Sequence, residues 1–205
     1  MVYHVDSETG VRSDNDNRTD ECLEAIGKFT QVKRIYLQGT QATDEKLHHL
    51  KDLKQVEHFF VWDASKVSDK GLKNLERYRK LVNVHISNGH MTSKGLAYLS
   101  HSTSMERLSL QGNGFSNKVI EVATRFKKLK SLWVGMGGNK IDNDGLVLAS
   151  KIKSIETLGI QKILATDDGL KPLYSLPNLK EIYVTGDGLS SEETERLRIH
   201  ATKNK

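Results

Sequence analysis

Apolar residues recur along this 205-residue chain in triplets spaced L-x-x-L-x-L, with polar residues filling most of the gaps. The triplets are Val32/Ile35/Leu37, Val56/Phe59/Val61, Leu81/Val84/Ile86, Met105/Leu108/Leu110, Leu129/Leu132/Val134, Ile155/Leu158/Ile160 and Leu179/Ile182/Val184. Their first positions lie 24, 25, 24, 24, 26 and 24 residues apart, a period that marks stacked structural repeats. The last two apolar places of each triplet alternate with polar ones, as in a short strand with one buried face. Ile35 and Leu37 therefore point inward, while Arg34, Tyr36 and Gln38 point outward.

A second pattern follows each strand. Thr43-Asp44-Glu45-Lys46-Leu47 leads into Leu50 and Leu53, a spacing of three that predicts a helix. Thr43 or Asp44 is its N-cap, since a short side-chain oxygen there satisfies free N–H groups of the first turn. Copies open at Ser68, Thr92, Asp142 and Thr166, with glycine in the fourth place of each. An earlier half-copy, Thr19-Asp20-Glu21-Cys22-Leu23, puts Cys22 in that place, and Ser116-Asn117-Lys118-Val119-Ile120 puts valine there.

These residues resemble the leucine-rich repeat superfamily, specifically its bacterial T-D-x-G-L type. They are also similar to ribonuclease-inhibitor-like and F-box-associated repeats. The likeness runs from Thr19 to about Leu197. It implies an α/β fold, a right-handed solenoid or horseshoe with a concave parallel β-sheet and convex helices. It also implies a scaffold that binds other proteins on the concave sheet. The asparagine that the family uses to bond turn backbone stands here as Asn113 and Asn139. Thr40, Ala64, Gly89, Ile163 and Asp187 hold that slot elsewhere, and wetter or differently shaped turns are expected at Ala64 and Ile163.

The expected organisation has three parts. Residues 1–31 form an N-terminal partial repeat with a polar loop and first helix. Residues 32–189 form seven repeats, starting at 32, 56, 81, 105, 129, 155 and 179, and residues 190–205 form a C-terminal helix and basic tail. One elongated domain is expected, because each repeat buries its apolar face only against its neighbours. Met1–Asp6 reads as the tail of a further strand and 7–18 as a mobile polar surface loop. That loop lacks the glycine and glutamate spacing of an EF-hand. The last helix is expected through Leu197, with a fraying tail. No apolar capping helix precedes Val2, which suggests part of a larger protein.

Composition narrows the function classes. No stretch approaches the ~20 apolar residues of a membrane helix, and no signal peptide is visible. Cys22 is the only cysteine, so no intrachain disulfide forms; this leans towards a cytoplasmic compartment and leaves an exported parent open. The eight histidines lack zinc-site spacing, and no phosphate loop or catalytic triad can be assembled. The chain therefore reads as non-enzymatic, without metal or cofactor.

The outward strand positions carry the candidate site. Along the middle of the sheet stand Tyr36, Phe60, His85, Ser109, Trp133, Gly159 and Tyr183. Arg34, His58 and Arg107 flank them on one side, and Trp62 on the other. Tyr36, His58, Phe60, Trp62 and His85 should form one patch, with Trp133 apart and its ring open to a partner. Aromatics beside arginine are the composition of interface hot spots. The candidate binding residues are thus Arg34, Tyr36, His58, Phe60, Trp62, His85, Arg107, Trp133 and Tyr183.

Other readings rest on less. The formal charge is +5 and the pI near 9.1, which raises nucleic acid. The position beside each strand's first apolar residue reads Lys33, Glu57, Val82, Glu106, Lys130, Glu156 and Lys180, a mixture of signs rather than a basic stripe. A basic run, Lys66, Lys70, Lys73, Arg77, Arg79 and Lys80, falls near one helix and reads as a solvated face. A carbohydrate module would use Trp62 and Trp133 as stacking platforms, with Gln38, Gln111 and Gln161 as hydrogen-bond partners. An adaptor of a ubiquitin-ligase-like complex rests on family analogy only.

Overall fold

The computed structural model describes residues 10–13, 19–38, 42–112, 114–135 and 137–204. The chain divides into two compact units, Met1–Met105 and Glu106–Lys205. In the first, strands β1 (Gly10–Ser13), β2 (Arg34–Gln38), β3 (His58–Trp62) and β4 (Asn83–Ser87) alternate with helices α1 (Thr19–Gly27), α2 (Asp44–Leu47), α3 (Asp69–Lys73) and α4 (Ser93–Leu99). The second holds β5 (Arg107–Gln111), β6 (Ser131–Gly135), β7 (Thr157–Ile160) and β8 (Glu181–Val184). Between and after them come α5 (Asn117–Ala123), α6 (Asn143–Ala149), α7 (Asp167–Leu170) and α8 (Ser191–Thr202).

Strands within each unit pair in parallel, shifted by one repeat. Val11 lies opposite Ile35, Ile35 opposite Phe59, and Phe59 opposite Val84. In the second unit Leu108, Leu132, Leu158 and Ile182 form the corresponding row. A strand of four or five residues has room for only two inward side chains, and those come from the triplets. Every residue of the seven triplets is buried. Leu47, Leu50, Leu72 and Leu75 close the first unit's core from the helix side, and Ile120, Leu146, Leu170 and Leu173 close the second's. Each such leucine contributes about 1.5–3 kcal/mol relative to exposure.

Glycine in the T-D-x-G-L motif answers a close approach. Thr43 caps α2, accepting from the Lys46 amide at 3.2 Å, while the Asp44 carboxylate reaches forward to the next repeat. There it accepts from the amides of Ser68 (2.7 Å) and Gly71 (2.8 Å) and from the Ser68 hydroxyl. Asp69 treats Thr92 and Gly95 the same way. In the second unit Asn117 serves Asp142 and Asn143 serves Thr166 through their amide groups, and Asp167 accepts from the Ser190 amide. A Cβ at Gly71, Gly95, Gly145 or Gly169 would collide with these side-chain oxygens.

Several details depart from the sequence reading. A strand, β1, occupies part of the segment expected as a surface loop. Val11 stands 24 residues before Ile35 and pairs with it, but the companion apolar places hold Glu8 and Ser13, which hides the triplet. The strand expected around Met1–Asp6 lies outside the described residues. Ala64 and Ile163 are buried rather than wet. Their amides donate to the carbonyls of Ser87 and Thr185 on the following repeat, so backbone replaces the missing asparagine. The last helix continues past Leu197 to Thr202; buried Ala201 and the bond from Asn204 Nδ2 to the Leu179 carbonyl hold what was expected to fray.

Candidate functional site

The first unit carries a packed aromatic array on the outward face of its strands. The register places Tyr36 opposite Phe60 and Phe60 opposite His85. Ring centroids of Tyr36 and Phe60 lie 5.0 Å apart with planes 5° from parallel. Trp62 stacks on Phe60 at 5.7 Å and 11°, and on Tyr36 at 6.3 Å and 10°. His58 stacks on Phe60 from the other end of β3 at 6.3 Å, and the His85 ring leans on Trp62 at 5.6 Å. Parallel rings this close overlap by their faces in the offset geometry that aromatic quadrupoles prefer. Tyr36, His58, Phe60 and His85 are half-buried, and Trp62 remains 38% exposed.

The patch expected from sequence is therefore assembled within this unit, with Arg34 half-buried at its margin. Removal from water pushes the His85 imidazole below its ordinary pKa of 6.5. Ser87, the buried polar residue at the end of β4, receives the Asp63 amide on its hydroxyl at 3.1 Å. Asp63 itself turns the chain out of β3 with φ of 56°, a left-handed residue that ends the strand directly after Trp62.

In the second unit Trp133 does not stand open as the sequence suggested. Its indole lies across Gly159, the outward residue of the neighbouring strand, and stacks on Tyr183 one strand further at 5.1 Å and 28°. A β-carbon at Gly159 would run into the indole, so glycine permits two aromatics to meet over an intervening strand. The sequence held this signal: a glycine in the outward row with an aromatic on each side. Tyr183 stays 45% exposed, and Arg107 is exposed on β5.

A recess of about 240 Å³ opens beside Tyr183, where β8 meets α8, lined among others by Gln161, Thr185, Leu197 and Arg198. Sequence reasoning missed it, because it depends on how α8 folds back onto β8. Arg198 is already engaged there by the Glu195 carboxylate through two 2.8 Å bonds.

Charged residues at the strand entrances pair instead of forming a stripe. Lys33 meets Glu57 at 3.7 Å, Lys130 meets Glu106 at 3.2 Å and Lys180 meets Glu156 at 2.8 Å. The mixed signs noted in the sequence are thus one-repeat ion pairs. On the helix side Arg77 meets Asp52 at 3.6 Å. Among the described residues no group of three or more histidine, cysteine, aspartate or glutamate side chains could hold a metal ion. No helix among them is long and apolar enough to cross a membrane.

No protein-family model matches the chain. Solved structures do. An internalin C2 from Listeria monocytogenes superposes with a TM-score of 0.70 over 92% of this chain and 76% of its own length, at 19% identity. An internalin F from the same organism gives 0.61 over 88% of this chain and 48% of its own length, at 17% identity. The chain thus has the α/β leucine-rich-repeat solenoid fold.

Proposed function

We propose that this leucine-rich-repeat chain is a non-enzymatic protein-interaction scaffold whose partner docks on the outward face of the parallel strands. The observation that carries the reading is the array of Tyr36, Phe60 and Trp62, held face to face on a solvent-accessible sheet. None of these rings belongs to the repeat core, and contiguous exposed apolar surface on a protein marks interaction sites. Arg34, His58 and His85 border the same patch. Arg107, Trp133 and Tyr183 form the corresponding surface of the second unit.

The stacking weighs against the carbohydrate alternative. Sugars stack on open ring faces, and here the faces of Tyr36 and Phe60 are turned to each other. Pairing of Lys33, Lys130 and Lys180 with glutamates weighs against nucleic acid, which needs clustered, uncompensated positive charge. With a single cysteine and no disulfide to maintain, the scaffold suits a reducing compartment such as the cytoplasm.

The test is affinity capture from a lysate of the source organism, comparing the native chain with a Trp62→Ala/Trp133→Ala variant that circular dichroism shows to be folded at the capture temperature. A protein kept by the native chain and lost from the variant supports the sheet face as the docking surface. Capture that the double substitution does not change assigns the partner to another surface and rejects the reading.

A further inference from the structure

The recess between β8 and α8 is built wholly from second-unit residues, and Tyr183 stands on its rim. One face of the Tyr183 ring is taken by Trp133, whose centroid lies 5.1 Å away on the side of β6. β8 pairs with β7, and no described strand lies beyond it, so the opposite ring face turns towards the recess. A tyrosine that gives one face to an indole and stays 45% exposed keeps that other face open.

Hydrogen-bonding groups line the same recess with capacity to spare. The Gln161 amide lies against Gly135 and makes no hydrogen bond among the described residues, which leaves donor and acceptor side by side. The Thr185 hydroxyl accepts from the Lys162 amide at 3.1 Å and still has its own proton to donate. Glu195 and Arg198 face each other through two 2.8 Å bonds that use Nε and Nη2. The guanidinium keeps its remaining N–H donors, and the carboxylate keeps lone pairs. The pair carries no net charge. Beneath these groups lies an apolar floor that includes buried Leu197 and Ile182.

We propose that this recess binds a neutral saccharide, one pyranose unit of which covers the open face of Tyr183. The C–H groups on one side of a pyranose are weakly positive and meet the negative face of the phenol ring. Its hydroxyls, which both donate and accept, meet Gln161, Thr185 and the Glu195–Arg198 pair. At about 240 Å³ the recess is smaller than the ~300 Å³ at which pockets for larger ligands begin. It therefore seats one ring and leaves the rest of a sugar chain over its open side. A phosphate or carboxylate would need a cation that Glu195 has already neutralised. The site is independent of protein docking on the first unit, where Tyr36 and Phe60 turn their faces to each other.

The test is saturation-transfer NMR on the full chain, with cellotriose, maltotriose and mannotriose as neutral probes and trigalacturonate as the acidic one. At least one neutral probe should bind, with saturation strongest at the C–H protons of one ring face. Tyr183→Phe should retain that affinity, because the ring remains. Tyr183→Ala should weaken it about tenfold and Gln161→Ala several-fold, with circular dichroism showing each variant folded. Trp62→Ala should leave it unchanged. Binding of no neutral probe overturns the proposal, as does tighter binding of trigalacturonate. Binding indifferent to both Tyr183→Ala and Gln161→Ala, or lost in Trp62→Ala, puts the sugar on another surface and overturns the site. Partner capture that depends on Trp62 stands or falls separately from each of these outcomes.

Discussion

The Asp44 carboxylate and the Gly71 amide, 27 residues apart in sequence, are joined by a 2.8 Å hydrogen bond. The aspartate of one repeat thereby finishes the helix start of the next, and the absence of a Cβ at Gly71 makes the approach possible. Asp44→Ala leaves the Ser68 and Gly71 amides without this acceptor and should cost about 1–3 kcal/mol in urea unfolding. Asp44→Asn should cost less, because an amide oxygen does the same work at Asn117 and Asn143. A loss well under about 1 kcal/mol for Asp44→Ala would show that the bond contributes little.

Gly159 and Trp133 form the second such dependence. In Gly159→Ala the new methyl displaces the indole from its place against Tyr183. The ring pair is worth about 0.5–1.5 kcal/mol, so the loss of stability should be of that order. Tryptophan emission, recorded in a Trp62→Phe background, should shift to longer wavelength and quench more readily with acrylamide. Unaltered emission would mean that the indole does not depend on the glycine.

Core and sheet face should separate cleanly in their energetics. Leu108→Ala opens a cavity in a middle repeat and should cost about 2–5 kcal/mol. Trp62→Ala removes stacking on Tyr36, Phe60 and His85 but no core volume, and should cost about 0.5–1.5 kcal/mol. Chemical denaturation of both variants decides the point. A Trp62→Ala protein as unstable as Leu108→Ala would make the array structural.

His85 gives the protein a weakness on mild acidification. Its folded pKa lies below the ordinary 6.5, because burial disfavours the charged ring. The unfolded chain then takes up the proton first. The stability this residue allows is complete above 6.5 and falls as pH drops from there towards the folded pKa. Melting temperature between pH 7.5 and 5.5 should decline more steeply for the native chain than for His85→Gln. Parallel declines would remove His85 as the cause.

Asp167 acts in a lower window and by the opposite chemistry. The backbone amide of Ser190, followed by its hydroxyl, holds the carboxyl below its ordinary 3.8. Its contribution is present above that value and is lost as pH falls through the folded pKa, when the native carboxylate is protonated. Asp167→Asn should keep an acceptor for the Ser190 amide while flattening the acid limb of the stability curve. An unchanged acid limb would place the effect on other carboxylates.

The sequence by itself determined the repeat, the inward rows and the helix starts. Period-two alternation and a three-residue helical spacing are local properties, and seven copies reinforce one reading. It also determined which outward positions are aromatic, so Tyr36, His58, Phe60, Trp62 and His85 could be placed on one face before any coordinates. Only the tertiary structure decided how those side chains meet. Stacking at 5.0 Å, the indole laid over Gly159 and the carboxylate of Asp44 on the next helix are contacts between repeats. Each depends on side-chain direction and on what the adjacent strand omits, and no local pattern encodes either. The same limit hid β1: with Glu8 and Ser13 in two of its three apolar places, its pairing with β2 identifies it, whereas its own hydrophobicity does not.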